Sequence, residues 1–194
     1  FISTGSPLSP ETFKFMNKKL NSKSFIHSVS GGTDIVSCFM LGVPTLPVYA
    51  GEIQGPGLGM NIDIFNEKGK PTKSTGELVC KTPFPSKPVY FWNDKNFSKY
   101  KSAYFNKFKN IWSHGDYVKK TVNGGYIIYG RSDATLNPGG VRIGTGEIYN
   151  SLQKFNWIVD CLATGFITDN DEKIILFLKS TLTKRPYNFE ETIK

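Results

Sequence analysis

The stretch from Tyr126 to Asn150 reads YIIYGRSDATLNPGGVRIGTGEIYN. It divides into a strand, a break, a hairpin and a helix start. Tyr126 to Tyr129 is a short β-branched and aromatic run, as a buried strand requires. Gly130 ends it, and Arg131, Ser132 and Asp133 are polar residues at the break. Asn137-Pro138-Gly139-Gly140 is a dense turn signal, because glycine and asparagine tolerate positive φ. Val141 to Ile143 reads as a second short strand carrying Arg142. Thr145 precedes Glu147, Ile148, Tyr149 and Leu152, the pattern of a capped helix start. Two arginines and a carboxylate beside Gly-rich turns suit an anionic, phosphate-bearing ligand. The same residues also read as a plain hairpin with surface arginines and an ordinary helix.

Three upstream stretches carry comparable chemistry. Phe1 to Thr4 ends a strand, Gly5-Ser6-Pro7 turns the chain, and Ser9-Pro10 caps a helix with Phe13, Met16 and Leu20 on one face. Phe25 to Val29 is a strand that runs into Ser30-Gly31-Gly32-Thr33-Asp34. Small residues expose backbone N–H groups to a phosphate, and a carboxylate is a hard oxygen ligand for magnesium. A flexible loop with glycines for turn geometry is the plainer alternative. Ile111 to Tyr117 is a strand broken at Gly115, and the next residue is Asp116. One carboxylate can accept from both hydroxyls of a ribose. A hairpin turning at Asn123-Gly124-Gly125 folds Arg131 back so that it and Asp116 face one ligand. His114 reads as a structural histidine.

Between and after these stretches the pattern is structural. Leu46 to Tyr49, Met60 to Phe65 and Glu77 to Cys80 are strand candidates. Residues 83 to 112 are rich in aromatics interleaved with lysine; Tyr100, Tyr104 and Phe108 fall at helical spacing and point to core packing rather than base stacking. Gly146 to Phe155 is an amphipathic helix, and Val159 to Ile167 and Lys173 to Lys179 are strands. Thr181 to Lys194 is polar and weakly periodic.

Bulk composition narrows the class. The chain has 194 residues, 39% of them hydrophobic and 21% charged, which is ordinary for a globular protein with a sizeable core. No apolar run reaches the length of a membrane helix. Cys38, Cys80 and Cys161 are far apart and odd in number, which favours buried free thiols in a reducing compartment. The net charge of +8 is a prior for polyanion contact, but the lysines are scattered, so nucleic acid is not the expected partner. The chain opens on Phe1 with no leader pattern, which reads as the middle of a longer protein.

The motifs G-R-x-D (Gly130 to Asp133), L-N-x-x-G-x-R (Leu136 to Arg142) and G-x-x-E-I (Gly144 to Ile148) resemble the hinge region of the adenylate-forming acyl-CoA synthetases. The runs SGGTDIVSCF and YFWNDKNFSKYKSAYF are similar to its acetoacetate-activating branch. The resemblance covers about Phe1 to Ser180. It implies an α/β fold with a β-rich subdomain. Residues 1-132 would be the C-terminal portion of a large AMP-binding domain, with a mixed sheet and a distorted β-barrel. Residues 133-194 would be the hinge and the start of a small α+β domain.

The resemblance also assigns residues. Gly5, Ser6 and Pro7 would lie against adenine, with Ser6 in place of an acidic residue. Thr33 would touch phosphate, and Asp34, where the family has Glu, would help hold Mg2+. Gly31 stands where acetyl-activating relatives have an aromatic wall, so that with Gly32 it would open a pocket for an acid larger than acetate. Asp116 would bind ribose, with Arg131 beside the nucleotide. Asp133 would be the hinge, Gly139 and Gly140 would meet the pantetheine of CoA, and Arg142 would approach the nucleotide during adenylation. The implied activity is ATP-dependent ligation of acetoacetate to CoA in the cytosol, through an acyl-AMP. The family's phosphate loop and its late Pro-x-Thr-x-x-Gly-Lys motif are absent from this sequence, so the chain alone is expected to adenylate feebly or not at all. A non-catalytic nucleotide- or CoA-binding module is the alternative, and a basic nucleic-acid-binding module a more distant one.

Overall fold

The fold comes from a computed structural model, which describes residues 1–20, 24–138, 141–168 and 172–182. The chain divides into two compact units, Phe1–Ser132 and Asp133–Lys194.

The first unit begins with β1 (Ile2–Ser3), which pairs in parallel with β2 (His27–Ser28). Between them lies α1 (Pro10–Lys19). Its start is sharply specified: Ser9 Oγ accepts from the Thr12 N–H at 3.2 Å, Pro10 occupies the first turn, and Lys18 and Lys19 sit at the carbonyl end. Both parallel strands end in a functional candidate, the Gly5 turn after β1 and Ser30 to Asp34 after β2. In parallel α/β sheets the carboxyl ends of the strands are where ligands bind.

Ser30 to Gly32 is a strand, β3, and not the loop its small residues suggest. It pairs antiparallel with β4 (Ser37–Leu41), which in turn pairs with β5 (Gly55–Pro56). The turn Thr33 to Val36 closes the β3–β4 hairpin. The segment Leu46 to Tyr49, a strand candidate, is turn and coil instead. Its carbonyls go to a side chain: Gln54 Nε2 donates to the Leu46 and Pro47 carbonyls at 2.6 and 3.1 Å.

The largest sheet is a four-stranded antiparallel meander of β6 (Ile62–Phe65), β7 (Gly76–Cys80), β8 (Trp112–Lys120) and β9 (Tyr126–Arg131). No sheet closes on itself among the described residues, so a mixed α/β arrangement of several small sheets stands where a distorted barrel was expected. Four strands are too few to bring the edges together. The core sits under the meander. Phe39, Ile35, Met40, Leu78, Val79 and Val118 are all fully buried. The short helix α2 (Ser98–Phe105) adds Tyr100 and Tyr104 to it, which bears out the core-packing reading of the aromatic segment. The first turn of α2 is capped from outside. Asp94 accepts from the Tyr100 N–H (2.8 Å), the Lys99 N–H (3.2 Å) and the Ser98 hydroxyl (3.1 Å).

The second unit holds α3 (Thr145–Leu152) and the long hairpin β10 (Ile158–Ile167) and β11 (Glu172–Ser180). Gly144 is the cap of α3, one residue before the Thr145 expected, and Glu147 reaches back to accept its N–H at 3.2 Å. Val141 to Ile143 forms no full strand: it makes a single bridge, Leu136 to Ile143. No described helix is long and apolar enough to cross a membrane.

Candidate functional site

Within the first unit the structure gathers three of the predicted stretches. The β8–β9 register sets Asp116 opposite Arg131. The β7–β8 register breaks between Glu77 and Val79, so that Ser113 pairs with Val79, Tyr117 with Glu77, and His114-Gly115-Asp116 bulge out of the ladder. Bulges re-aim side chains, and this one carries Asp116. Gly115 has φ +85° at its centre, and a Cβ there would lie 2.8 Å from the Arg131 Cζ. Only glycine both adopts that backbone and leaves room for the guanidinium. The Arg131 Nη1 donates to the His114 carbonyl at 2.9 Å and lies 3.4 Å from Asp116 Oδ1.

The bulge is held from behind by residues that sequence reading assigned only a structural role or passed over. Glu77 is almost fully buried; its Oε1 accepts the Gly115 N–H at 2.8 Å and its Oε2 pairs with Lys107 Nζ at 2.6 Å. A charge so deeply buried is tolerated because both oxygens are satisfied. The only sequence signal was an acidic residue inside the apolar run GELVC.

Asp116 is buried and accepts from the Ser30 hydroxyl at 2.8 Å. An ionised carboxylate has about four acceptor positions, so Ser30 and the weak Arg131 contact leave roughly two for a ligand. Ser30 thus ties β3 to β8, although its hydroxyl drew no attention in the sequence. His114 lies with its ring edge-on to Phe39 (4.6 Å between centroids) and its Nε2 4.0 Å from Asp116 Oδ2. Its buried Nδ1 has no hydrogen-bond partner.

Thr33 and Asp34 are exposed at the β3–β4 turn. Asp34 is fixed: its Oδ2 accepts from the Tyr104 hydroxyl at 2.5 Å. Burial, then the hydrogen bond and the charge of Asp34, push the Tyr104 phenol well above its ordinary range. Among the described residues no cluster of three His, Cys, Asp or Glu surrounds Asp34. A lone exposed carboxylate does not build a resident metal cage, but it fits magnesium carried in on a polyphosphate, which keeps its waters and takes one or two protein carboxylates.

Gly31 lies close against the neighbouring strand. A Cβ there would overlap the Ser37 carbonyl and come 2.6 Å from the Cys38 Cα. The neighbouring strand's backbone lies where a Gly31 side chain would start, at the β3–β4 register shift. Gly32 differs: the place a Cβ would take is filled by the Asp34 carboxylate, with the His114 Cε1 at 3.3 Å.

The remaining candidates are more loosely placed. Gly5 (φ +89°), Ser6 and Pro7 form an exposed turn with open space at Gly5. In the second unit Asp133 lies in a 3-10 turn (Ser132–Ala134), and Arg142 Nε donates to Thr135 Oγ1 at 2.8 Å. Gly139 and Gly140 lie outside the described residues. The three thiols are free, but only Cys80 is fully buried; Cys38 and Cys161 are half-buried.

No family model matches the chain. Acetoacetyl-coenzyme A synthetase of Rhizobium meliloti is 53% identical over 178 residues, 91% of this chain and 27% of that protein. This chain is a homologue of the acetoacetyl-CoA synthetases. The Gallus gallus acetoacetyl-CoA synthetase is 49% identical over 92% of the chain and 27% of its own length. The chain thus spans about a quarter of the length of the curated relatives it matches. Among solved structures, the acetoacetyl-CoA synthetase from Streptomyces lividans superimposes with a TM-score of 0.84 at 38% identity, covering 100% of this chain and 30% of that one. An anthranilate CoA ligase, AuaEII, in complex with anthranoyl-AMP, shares the fold at a TM-score of 0.78 and 18% identity. The acetoacetyl-CoA synthetase homologue therefore has the fold of part of an acyl-CoA ligase.

Proposed function

We propose that this chain is the nucleotide-binding portion of an acetoacetate–CoA ligase that works through acetoacetyl-AMP. The observation that carries this reading is the convergence of Ser30 to Asp34, the His114–Asp116 bulge and Arg131 on one end of the first unit, in a chain about half identical to acetoacetyl-CoA synthetases. In this reading the two free acceptor positions of Asp116 take the ribose hydroxyls, and Arg131 lies beside the nucleotide. Thr33 donates to phosphate. Gly5, Ser6 and Pro7, at the carboxyl end of β1, lie against adenine. Bound magnesium would neutralise phosphate charge as the acetoacetate carboxylate approaches, and Asp34 is the residue here to hold it.

The second unit supplies the later step in the same reading. Asp133 is the pivot between the adenylating and thioester-forming arrangements, Arg142 meets the nucleotide in the first, and Gly139 and Gly140 pass the pantetheine arm of CoA. Residues 1-132 then belong to the large AMP-binding domain and 133-194 to the start of the small one. The meander would be part of a larger barrel-like subdomain in a whole synthetase. The cytosol suits ATP, CoA and three free thiols.

Calorimetric titration with AMP tests the reading. Asp116→Ala is expected to abolish measurable AMP binding while leaving retention on heparin intact or slightly stronger, since the variant carries one more net positive charge. Unchanged AMP affinity in that variant would refute the ribose assignment.

A further inference from the structure

Asp34 has a neighbour relationship that the site's assigned roles do not use. Four observations bear on it. The carboxylate lies across Gly32, in the space any side chain there would occupy. Its Oδ2 accepts from Tyr104 at 2.5 Å. Tyr104 is buried and stacks face to face on Trp112, 3.7 Å between centroids and 14° between planes. Tyr104 also meets Phe91 and Tyr100 edge-on, at 5.6 and 5.5 Å. A phenol clamped on three sides cannot follow a moving partner. The partner is therefore held where the phenol is.

We infer that Tyr104 and Gly32 form a cradle that positions the Asp34 carboxylate for magnesium–nucleotide binding, Tyr104 by its hydroxyl and Gly32 by its missing side chain. Tyr104 acts through Asp34 and is a positioning residue. The inference rests on the reading of Asp34 as the metal-holding carboxylate. It gives the aromatic helix a second task beside core packing. It also accounts for an aspartate at this place: a short side chain at an exposed turn is fixed by a hydrogen bond from the core. Oδ2 accepts from the Tyr104 hydroxyl and Oδ1 lies over Gly32, so both oxygens have a fixed place at the exposed turn. A carboxylate already held in one rotamer loses less entropy when the ion arrives.

Calorimetric titration separates the inference from the reading beneath it. ATP is titrated into the wild-type chain with magnesium and with EDTA, and the ratio of the two affinities is the magnesium gain; AMP is the metal-independent control. Wild type is expected to show a gain, and Asp34→Asn to lose it. Tyr104→Phe keeps the ring on Trp112 and removes only the hydroxyl. It is expected to lower the gain about three- to tenfold, the range for one lost hydrogen bond, with AMP affinity unchanged. Gly32→Ala, which displaces the carboxylate, is expected to lower the gain as well. A full gain retained in both Tyr104→Phe and Gly32→Ala would overturn the inference alone. So would equal losses for AMP and magnesium–ATP, because those report general packing. A wild-type chain that binds ATP equally with magnesium and with EDTA would overturn the assignment of Asp34 itself, and the inference with it.

Discussion

At the scale of single residues, burial separates what the fold needs from what a ligand needs. Phe39 is fully buried and touches Phe84 and His114 with its ring. Phe39→Ala is expected to destabilise the first unit by about 3–5 kcal/mol, the range for a core aromatic that leaves a cavity. Denaturant unfolding measures this, and a loss under about 1 kcal/mol would mean the core is not centred there. The facing of Asp116 and Arg131 was legible in the sequence because the turn at Asn123 to Gly125 folds the two positions together. The close approach of the Ser37 and Cys38 backbone to Gly31 was not legible, because sequence cannot tell a glycine that leaves space from one beside which another strand lies. Ser30 and Tyr104 were passed over for the opposite reason: a serine beside glycines and a tyrosine among aromatics look ordinary until a carboxylate is placed against them.

At the scale of elements, helix α2 shows how a distant residue shapes a site. Burial pushes the Asp94 carboxyl up, but the N–H groups of Tyr100 and Lys99 and the Ser98 hydroxyl outweigh it and hold the carboxyl below its ordinary value. The sign follows. A carboxyl lowered by folding contributes stability that is present above the unfolded value, near 4. That contribution is lost as pH falls through the lowered folded value. Asp94→Ala should therefore unfold more readily than wild type at pH 7, and the difference should close in acid. A difference that persists undiminished at pH 2 would contradict the capping role.

The sheets should also differ in stability. The β1–β2 pair has two residues in each strand and is parallel, and Phe1, Ile2 and Phe25 around it are exposed, whereas the meander covers the core. Parallel ladders persist when both faces are covered. Amides of β2 are expected to exchange with deuterium much faster than those of β7 and β8; equal protection would count against this account. Alternation and turn chemistry made β7, β8, β9 and the β10–β11 hairpin readable. They failed at Ser30 to Gly32, where a strand is made of the residues least associated with strands, because pairing with β4 and not propensity decides it.

At the scale of the whole molecule, the chain matches about a quarter of the length of the acetoacetyl-CoA synthetases, and neither the phosphate loop nor the late lysine motif occurs in its sequence. Acetoacetate-dependent pyrophosphate release from ATP by the purified chain is expected to stay near background. Turnover inside the usual enzyme range, about 1 per second or more, would contradict that. The central claim, that one end of the first unit is a nucleotide site, is tested most directly by following backbone amide shifts during an AMP titration. The account predicts saturable shifts concentrated at Gly5 to Ser6, Ser30 to Asp34, His114 to Asp116 and Arg131. Shifts confined to other surfaces, or none at millimolar AMP, would contradict it.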